Sequence, residues 1–368
     1  MRIATVTTPK IKYHSSESHE FYQVLHKKIE DYFKDSHLSK FGDWTVRMKI
    51  IVLYAIFFSS YFMMYAKGNS GLMVLLYATI FGVTGIMIAL NIIHDASHNA
   101  LFKEKKWNKL LLLTMNLLGS SGYLYHLNHV RIHHTYPNVI GIDADINQPV
   151  PLLRVSPGAP KYAFHKYQHL YAFFIYINYT LFLIFIKDFE DFRFIPKKDS
   201  PLLKVQHPRK EYFMFFVSKL FYITYALILP LMFLNFAWWK IIAGYLFVNV
   251  VMSIIAVGVQ VLIHTNDKAH FIETDSSGII HRNWAVHTVL NTSDLMADNK
   301  YITFMLGGLN THTVHHLFPG ICHIHYPHLT KILKETAAEF DLPYINLSLR
   351  ESIISHYNFL KELGKFSV

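Results

Sequence analysis

The sequence predicts an all-α integral membrane protein: four transmembrane helices in two hairpins, interfacial helices, and a cytosolic helical cap. Three observations predict it. Hydrophobic residues make up 52% of the 368 residues and charged residues only 16%, well under the roughly 25% of an average soluble domain. Four apolar stretches are long enough to cross a hydrocarbon core, which takes about 20 residues. The lysines and arginines behind the net charge of +10 collect between those stretches, on the side that the positive-inside rule makes cytosolic. The same composition excludes a disordered chain and an ordinary water-soluble enzyme. Nucleic-acid binding is disfavoured, because the positive charge lies beside membrane spans.

Taken in order, Met1–Lys10 has no apolar core after Arg2 and does not read as a signal peptide. Within residues 1–49, Phe21, Val24, Leu25, Ile29, Tyr32 and Phe33 recur at helical spacing. That is an amphipathic helix, either lying on the bilayer or packed on the protein's own cap. Residues 50–93 form the first hairpin, Ile50–Ala66 and Leu72–Ile93, joined at Lys67-Gly68-Asn69-Ser70. Residues 212–263 form the second, Tyr212–Phe236 and Trp239–Ile263, whose turn puts Trp238 and Trp239 where an aromatic belt would lie. Residues 94–211 and 264–368 are cytosolic or interfacial, and both termini are then cytosolic. No repeat or linker interrupts the chain, so 1–368 reads as one membrane domain.

A fifth apolar run, Leu170–Ile186, complicates the count. Lys103, Lys105, Lys106 and Lys109 follow the second span, while Lys187, Arg193, Lys197, Lys198, Lys204, Arg209 and Lys210 precede the third. Both basic groups belong on one side, so an even number of crossings separates them. Leu170–Ile186 is therefore expected to be interfacial or re-entrant, and Leu110–Leu118 is too short to span.

The chain has 24 histidines and a single cysteine, Cys322. Thiolate metal sites are excluded, so a metal here must be held by imidazoles. Three clusters stand on the same predicted side: His94-Asp95-Ala96-Ser97-His98, His129-Val130-Arg131-Ile132-His133-His134, and His312-Thr313-Val314-His315-His316. On an α-helix, residues four apart share a face, so His94 with His98, and His129 with His133, can each reach one metal. Adjacent His133 and His134 point about 100° apart, as do His315 and His316, which suits two neighbouring metals. Eight imidazoles exceed one mononuclear site, and a dinuclear centre follows. Iron, copper, zinc and nickel all accept nitrogen ligands, so spacing alone does not choose. A His-rich metal transporter would instead carry its ligands inside the spans.

The three boxes, in this order and around two hairpins, resemble those of the integral-membrane fatty acid desaturases and their hydroxylase relatives. Flanking residues are similar to the bacterial acyl-lipid and acyl-CoA branch related to front-end desaturases: Asn128, Thr135-Tyr136-Pro137-Asn138, Asp143, Asp145, Leu153-Arg154, Gly307-Gly308-Leu309-Asn310 and Leu317-Phe318-Pro319. The resemblance implies a non-haem di-iron site with O₂ as co-substrate, which removes two hydrogens from an unactivated acyl chain held as acyl-CoA or acyl-lipid. Hydroxylation is the competing outcome. The resemblance makes the eight box histidines iron ligands, with His264 as a ninth at the end of the last span. It suggests His287 as a residue at or beside the ligands, and Asp95 and Asn128 as groups that orient imidazoles. The other histidines, including His126, His323, His325 and His328 beside the boxes, are expected to pack or hydrogen-bond. Front-end enzymes usually begin the third box with Gln, whereas this chain has His312, which leaves the double-bond position open. No His-Pro-Gly-Gly motif of a fused cytochrome b5 domain occurs. Electrons would come from a separate ferredoxin or cytochrome b5, and the resemblance suggests a bacterial inner membrane.

Overall fold

The computed structural model describes residues 6–7, 11–14, 20–147, 150–192, 204–205 and 207–365; Arg193, Lys197, Lys198 and most of Met1–Lys10 lie outside them. The chain is mostly helical. Helix α1 (Glu20–Ser36) buries Phe21, Leu25 and Ile29 against Val314, Leu317, Tyr326, Leu329 and Leu333. Of the two settings open to this amphipathic helix, the structure selects packing on the protein's own cap.

Helix α2 (Trp44–Met63) and helix α3 (Gly71–Ser97) form the first hairpin, each long and apolar enough to cross a membrane. Their starts are set by side-chain caps. Asp43 accepts from the Val46 amide and Ser70 from the Met73 amide, satisfying donors that a helix start leaves open. Large apolar side chains such as Ile51, Phe62 and Leu72 are exposed, as on helices whose outer face meets lipid. Near its end α3 loosens into a π-turn, Ala89–Ile93, directly before His94.

Helix α4 (Lys105–Leu113) is short. Helix α5 begins as an α-turn, Gly122–Tyr125, and continues as the π-helical His126–His133. Helices α6 (Ala163–Tyr176) and α7 (Tyr179–Phe192) carry the fifth apolar run and meet at an 84° bend, so that run is not a straight span. The bend is tied down by polar contacts. The Thr180 hydroxyl donates to Asn249 at 3.1 Å, and the Thr180 amide donates to Ser253 Oγ at 3.0 Å.

Helices α8 (Arg209–Phe233) and α9 (Trp238–His264) form the second hairpin. The buried Lys219 of α8 donates to the Gly119 and Ile184 carbonyls and to Asp188, locking α7 onto the hairpin. The cap is completed by α10 (Trp284–Asn291), α11 (Lys300–Met305), α12 (His312–Leu317), α13 (Tyr326–Glu339) and α14 (Leu349–Lys365).

One close approach fixes the cap on the spans. Gly307 has φ +64°, and a Cβ there would lie 2.5 Å from the Leu90 carbonyl oxygen and 2.7 Å from Asn91 Cα. The π-turn of α3 thus rests on the bare backbone that leads into α12. Gly307→Ala adds both a strained φ and an overpacked contact, each costing about 1–3 kcal/mol. The expected result is a lower thermal unfolding midpoint in detergent; an unchanged midpoint would refute this packing.

Candidate metal centre

The ends of α3 and α9, the π-stretch of α5, and α12 converge on one buried point. There, nine imidazoles fall into two groups. His94, His98, His129, His134 and His315 form one; His133, His264, His312 and His316 form the other. The groups are neighbours, because the rings of His134 and His316 stack at 4.1 Å between centroids.

The way the sequence divides between the groups depends on helix type. In the α-helical α12, His312 and His316 share a group and His315 faces the other, as α-helical spacing predicts. The second box differs. His129 joins His134 in the five-ring group; its four-residue neighbour His133, though close enough to share a ligand set with His129 and Asp145, belongs to the four-ring group. The reason is the π-register of residues 126–133, in which the His134 amide donates to the His129 carbonyl at 3.0 Å. With i→i+5 bonding, residues five apart come onto one face.

The contacts within the groups suit cations. His264 Nε2 lies 3.1 Å from His133 Nε2, 2.7 Å from His312 Nε2 and 3.1 Å from His316 Nε2. A neutral imidazole has one N–H, so these converging nitrogens cannot all be hydrogen-bonded to one another. In the five-ring group, His134 Nε2 meets His315 Nε2 at 3.0 Å and His129 Nε2 at 3.3 Å. The buried His94 and His98 Nε2 atoms have no hydrogen-bond partner. A cation inside each group would turn these clashing or orphaned lone pairs into ligands.

Electrostatics points the same way. Burial, and then the neighbouring imidazoles, hold His98, His129, His134, His312, His315 and His316 well below the usual histidine range. They are therefore neutral at physiological pH, the ligating form. His133 is the exception. Burial opposes its proton, but Asp143 and Asp145 outweigh burial and push its pKa up to about 9. Its Nδ1 donates to both Asp143 oxygens, at 3.0 and 3.1 Å, which aims Nε2 toward the other three rings of its group. Asp143 also accepts the Asn138 and Asp145 amides. His315 is steadied by Tyr326, whose hydroxyl meets Nδ1 at 3.2 Å. Asp294 fixes the start of α12 by accepting the Thr313 amide and hydroxyl at 2.8 and 2.9 Å.

Three residues expected to support the ligands sit differently. Asp95 lies 3.5 Å from His94 Nδ1, too long for a good hydrogen bond. Its carboxylate is engaged by His323, which donates from Nδ1 at 2.7 Å and from its amide at 3.2 Å. Asp95 thus ties α3 to the segment after the third box. Asn128 donates to Asp191 at 2.7 Å, not to an imidazole. His287 is buried outside both groups, where Nε2 donates to the Pro137 carbonyl at 2.7 Å, bracing the loop after the second box. The imidazole-orienting carboxylate is Asp143, which the sequence offered only as one of several flanking residues.

A cavity of about 660 Å³ lies beside the rings, roofed by α6 and α7 and bounded by α3 and α9. His94, His129, His133, His264 and His312 open onto it, and most of the remaining wall is apolar.

The family model for fatty acid desaturase matches residues 29–348. The chain belongs to the fatty acid desaturase family. As a member, this desaturase is an oxidoreductase of membrane character. It is 28% identical to an acyl-lipid (8-3)-desaturase of Physcomitrium patens, over 96% of this chain and 74% of that protein. It is also 28% identical to an sn-1 linoleoyl-lipid 6-desaturase of Synechocystis sp., over 98% of this chain and 100% of the relative. An acyl-lipid (8-3)-desaturase B of Dictyostelium discoideum is 30% identical over 95% of this chain and 76% of that protein.

Proposed function

We propose that the desaturase introduces a double bond into an acyl chain esterified in a membrane lipid, using O₂ and two irons held by the nine imidazoles. The observation that carries this reading is the two-group histidine cluster opening onto a largely apolar cavity. Names of relatives that specify acyl-lipid and linoleoyl-lipid substrates support the lipid ester. The balanced reaction converts –CH₂–CH₂–, O₂, two electrons and two protons to –CH=CH– and two waters. The electrons come from a separate carrier, a ferredoxin or cytochrome b5.

An aliphatic C–H offers no acidic proton, so side-chain acid–base chemistry cannot start the reaction; bound iron supplies the oxidising power. The chain's own residues do the rest. His94, His98, His129, His134 and His315 hold one iron, and His133, His264, His312 and His316 the other. Asp143 keeps the proton of His133 on Nδ1, which leaves Nε2 for the metal. The apolar walls bind the acyl chain by burial and exclude water from the reacting carbons.

The positive-inside pattern supports a centre and termini on the cytosolic side, and the likeness to a Synechocystis desaturase over its full length supports a bacterial inner membrane. The single-domain reading of residues 1–368 fits a cap and spans that share this one centre. Gas chromatography with mass spectrometry of lipids from a host with and without the gene tests the reading. The expected result is a new unsaturated acyl chain, absent when His315 is replaced by Ala. A hydroxylated product would make the protein an oxygenase of the same architecture. Zinc, or variable metal loading, in place of about two irons per chain would favour a metal carrier.

A further inference from the structure

The cavity wall is not uniformly apolar. Its charged side chains, Asp145, Lys187, Asp188 and Asp191, come from the loop after the second box and from the π-turn and last turns of α7. Asp188 is engaged by Ser120, the Ser121 amide and Lys219. The other three form a different arrangement. Lys187 Nζ donates to Asp191 Oδ2 at 2.9 Å, and Asn128 Nδ2 donates to the same oxygen at 2.7 Å. One carboxylate oxygen therefore holds two donors side by side, on residues that both line the cavity. An ammonium carries three N–H groups and a primary amide two, so each donor has capacity beyond Asp191.

A hydrocarbon chain has no use for such a pair, and burying it without a function costs free energy. Two adjacent donors call for an acceptor. The charge balance narrows the acceptor further. Lys187 already has Asp191 as its ion-pair partner at 2.9 Å, so its charge is matched before any ligand arrives. A further anion, such as the carboxylate of a free fatty acid, would find no unmatched cation in this pair, whereas a neutral carbonyl needs only the two donors. Asp145 also reaches the metal-binding rings, at 3.6 Å from His133 Nδ1. The polar station is thus next to the reacting centre rather than at the far end of the chain.

We infer that Lys187 and Asn128 clamp the ester carbonyl of the acyl-lipid, and that this anchor sets the position of the double bond by counting carbons from the carboxyl end. The inference rests on the desaturase reading and assigns its substrate end. Lys187 and Asn128 are positioning residues: they hold the ester while the imidazoles hold the metal.

The test uses the full chain in host membranes, with Lys187→Met, Asn128→Leu and Lys187→Arg beside the wild type. The readouts are double-bond position by mass spectrometry of derivatised methyl esters, KM for the acyl-lipid in membrane assays, and iron content. For Lys187→Met and Asn128→Leu the expected result is more than one positional isomer, with KM raised about tenfold for Lys187→Met, the loss of one charge-assisted hydrogen bond, and about threefold for Asn128→Leu, the loss of a neutral one. Iron stays at about two per chain, and Lys187→Arg restores a single isomer. A single wild-type isomer at wild-type KM in both apolar variants overturns the clamp while leaving the desaturase reading intact. Iron loss in both variants overturns it in favour of a structural role. A wild type that makes no double bond removes the desaturase reading, and the clamp falls with it.

Discussion

Replacing His264 with Ala is expected to reduce double-bond formation to background and iron from about two to about one per chain, with the protein still in the membrane. The geometry singles out this residue. Its Nε2 touches all three other nitrogens of the four-ring group, at 2.7–3.1 Å. Removing it leaves three imidazoles around a hole, whereas removing His98 from the five-ring group leaves four. His98→Ala should therefore keep more iron than His264→Ala. The side chain lies at the end of α9, so little packing of the span is lost. Metal analysis of purified protein and lipid profiles of the host are the measurements. A His264→Ala protein with two irons and full product would remove His264 from the ligand set.

The second large effect is expected at Asp143. Asp143→Asn keeps the shape of a fully buried side chain but removes the charge facing His133. An amide can present its NH₂ to Nδ1, which drives the ring to the tautomer with its proton on Nε2, the nitrogen required for the metal. Outer-shell changes of this kind cost about 10–100-fold in metal affinity or activity, and that loss is the expected outcome. Asp143→Ala goes further. It leaves the Asn138 and Asp145 amides without their acceptor, at about 1–3 kcal/mol for each buried donor. Thermal unfolding should therefore rank the two variants: lowered for Asn, which keeps one acceptor oxygen and loses the other, and lowered further for Ala, which loses both. Wild-type activity in Asp143→Asn would show that the His133 tautomer is set elsewhere.

The parts of this architecture that repeat a local period were legible in the sequence. Apolar length marked the four long helices, and α-helical spacing set His315 apart from its neighbour His316; the two lie in different groups. The charge bookkeeping around Leu170–Ile186 argued against a simple crossing, and the run is bent by 84° between α6 and α7. What stayed hidden depends on three-dimensional registry. Nothing in His129-Val130-Arg131-Ile132-His133-His134 announces a π-helix, because that register is decided by bonding and packing around the segment, not by composition. The main partners of Asp95, Asn128 and His287 stayed hidden for a related reason. Each is close in sequence to a histidine box or to an expected ligand, yet its nearest polar group comes from a distant stretch: His323, Asp191 and Pro137 respectively. A signal for Asp143 did exist, since it lies ten residues beyond His133 in a polar loop. Its burial could not be read from the sequence.

The π-stretch at residues 126–133 has a consequence for anyone redesigning this protein. Straightening it into an ideal α-helix, a routine move for gaining stability, would leave every histidine in place in the sequence and still rewire the centre. His133 would turn away from the rings of its own group, and His134 would leave the partner it now meets. The same holds for grafting the second box onto a designed α-helical scaffold. The motif as written in letters is incomplete; the extra residue in its turn belongs to the specification as much as the imidazoles do.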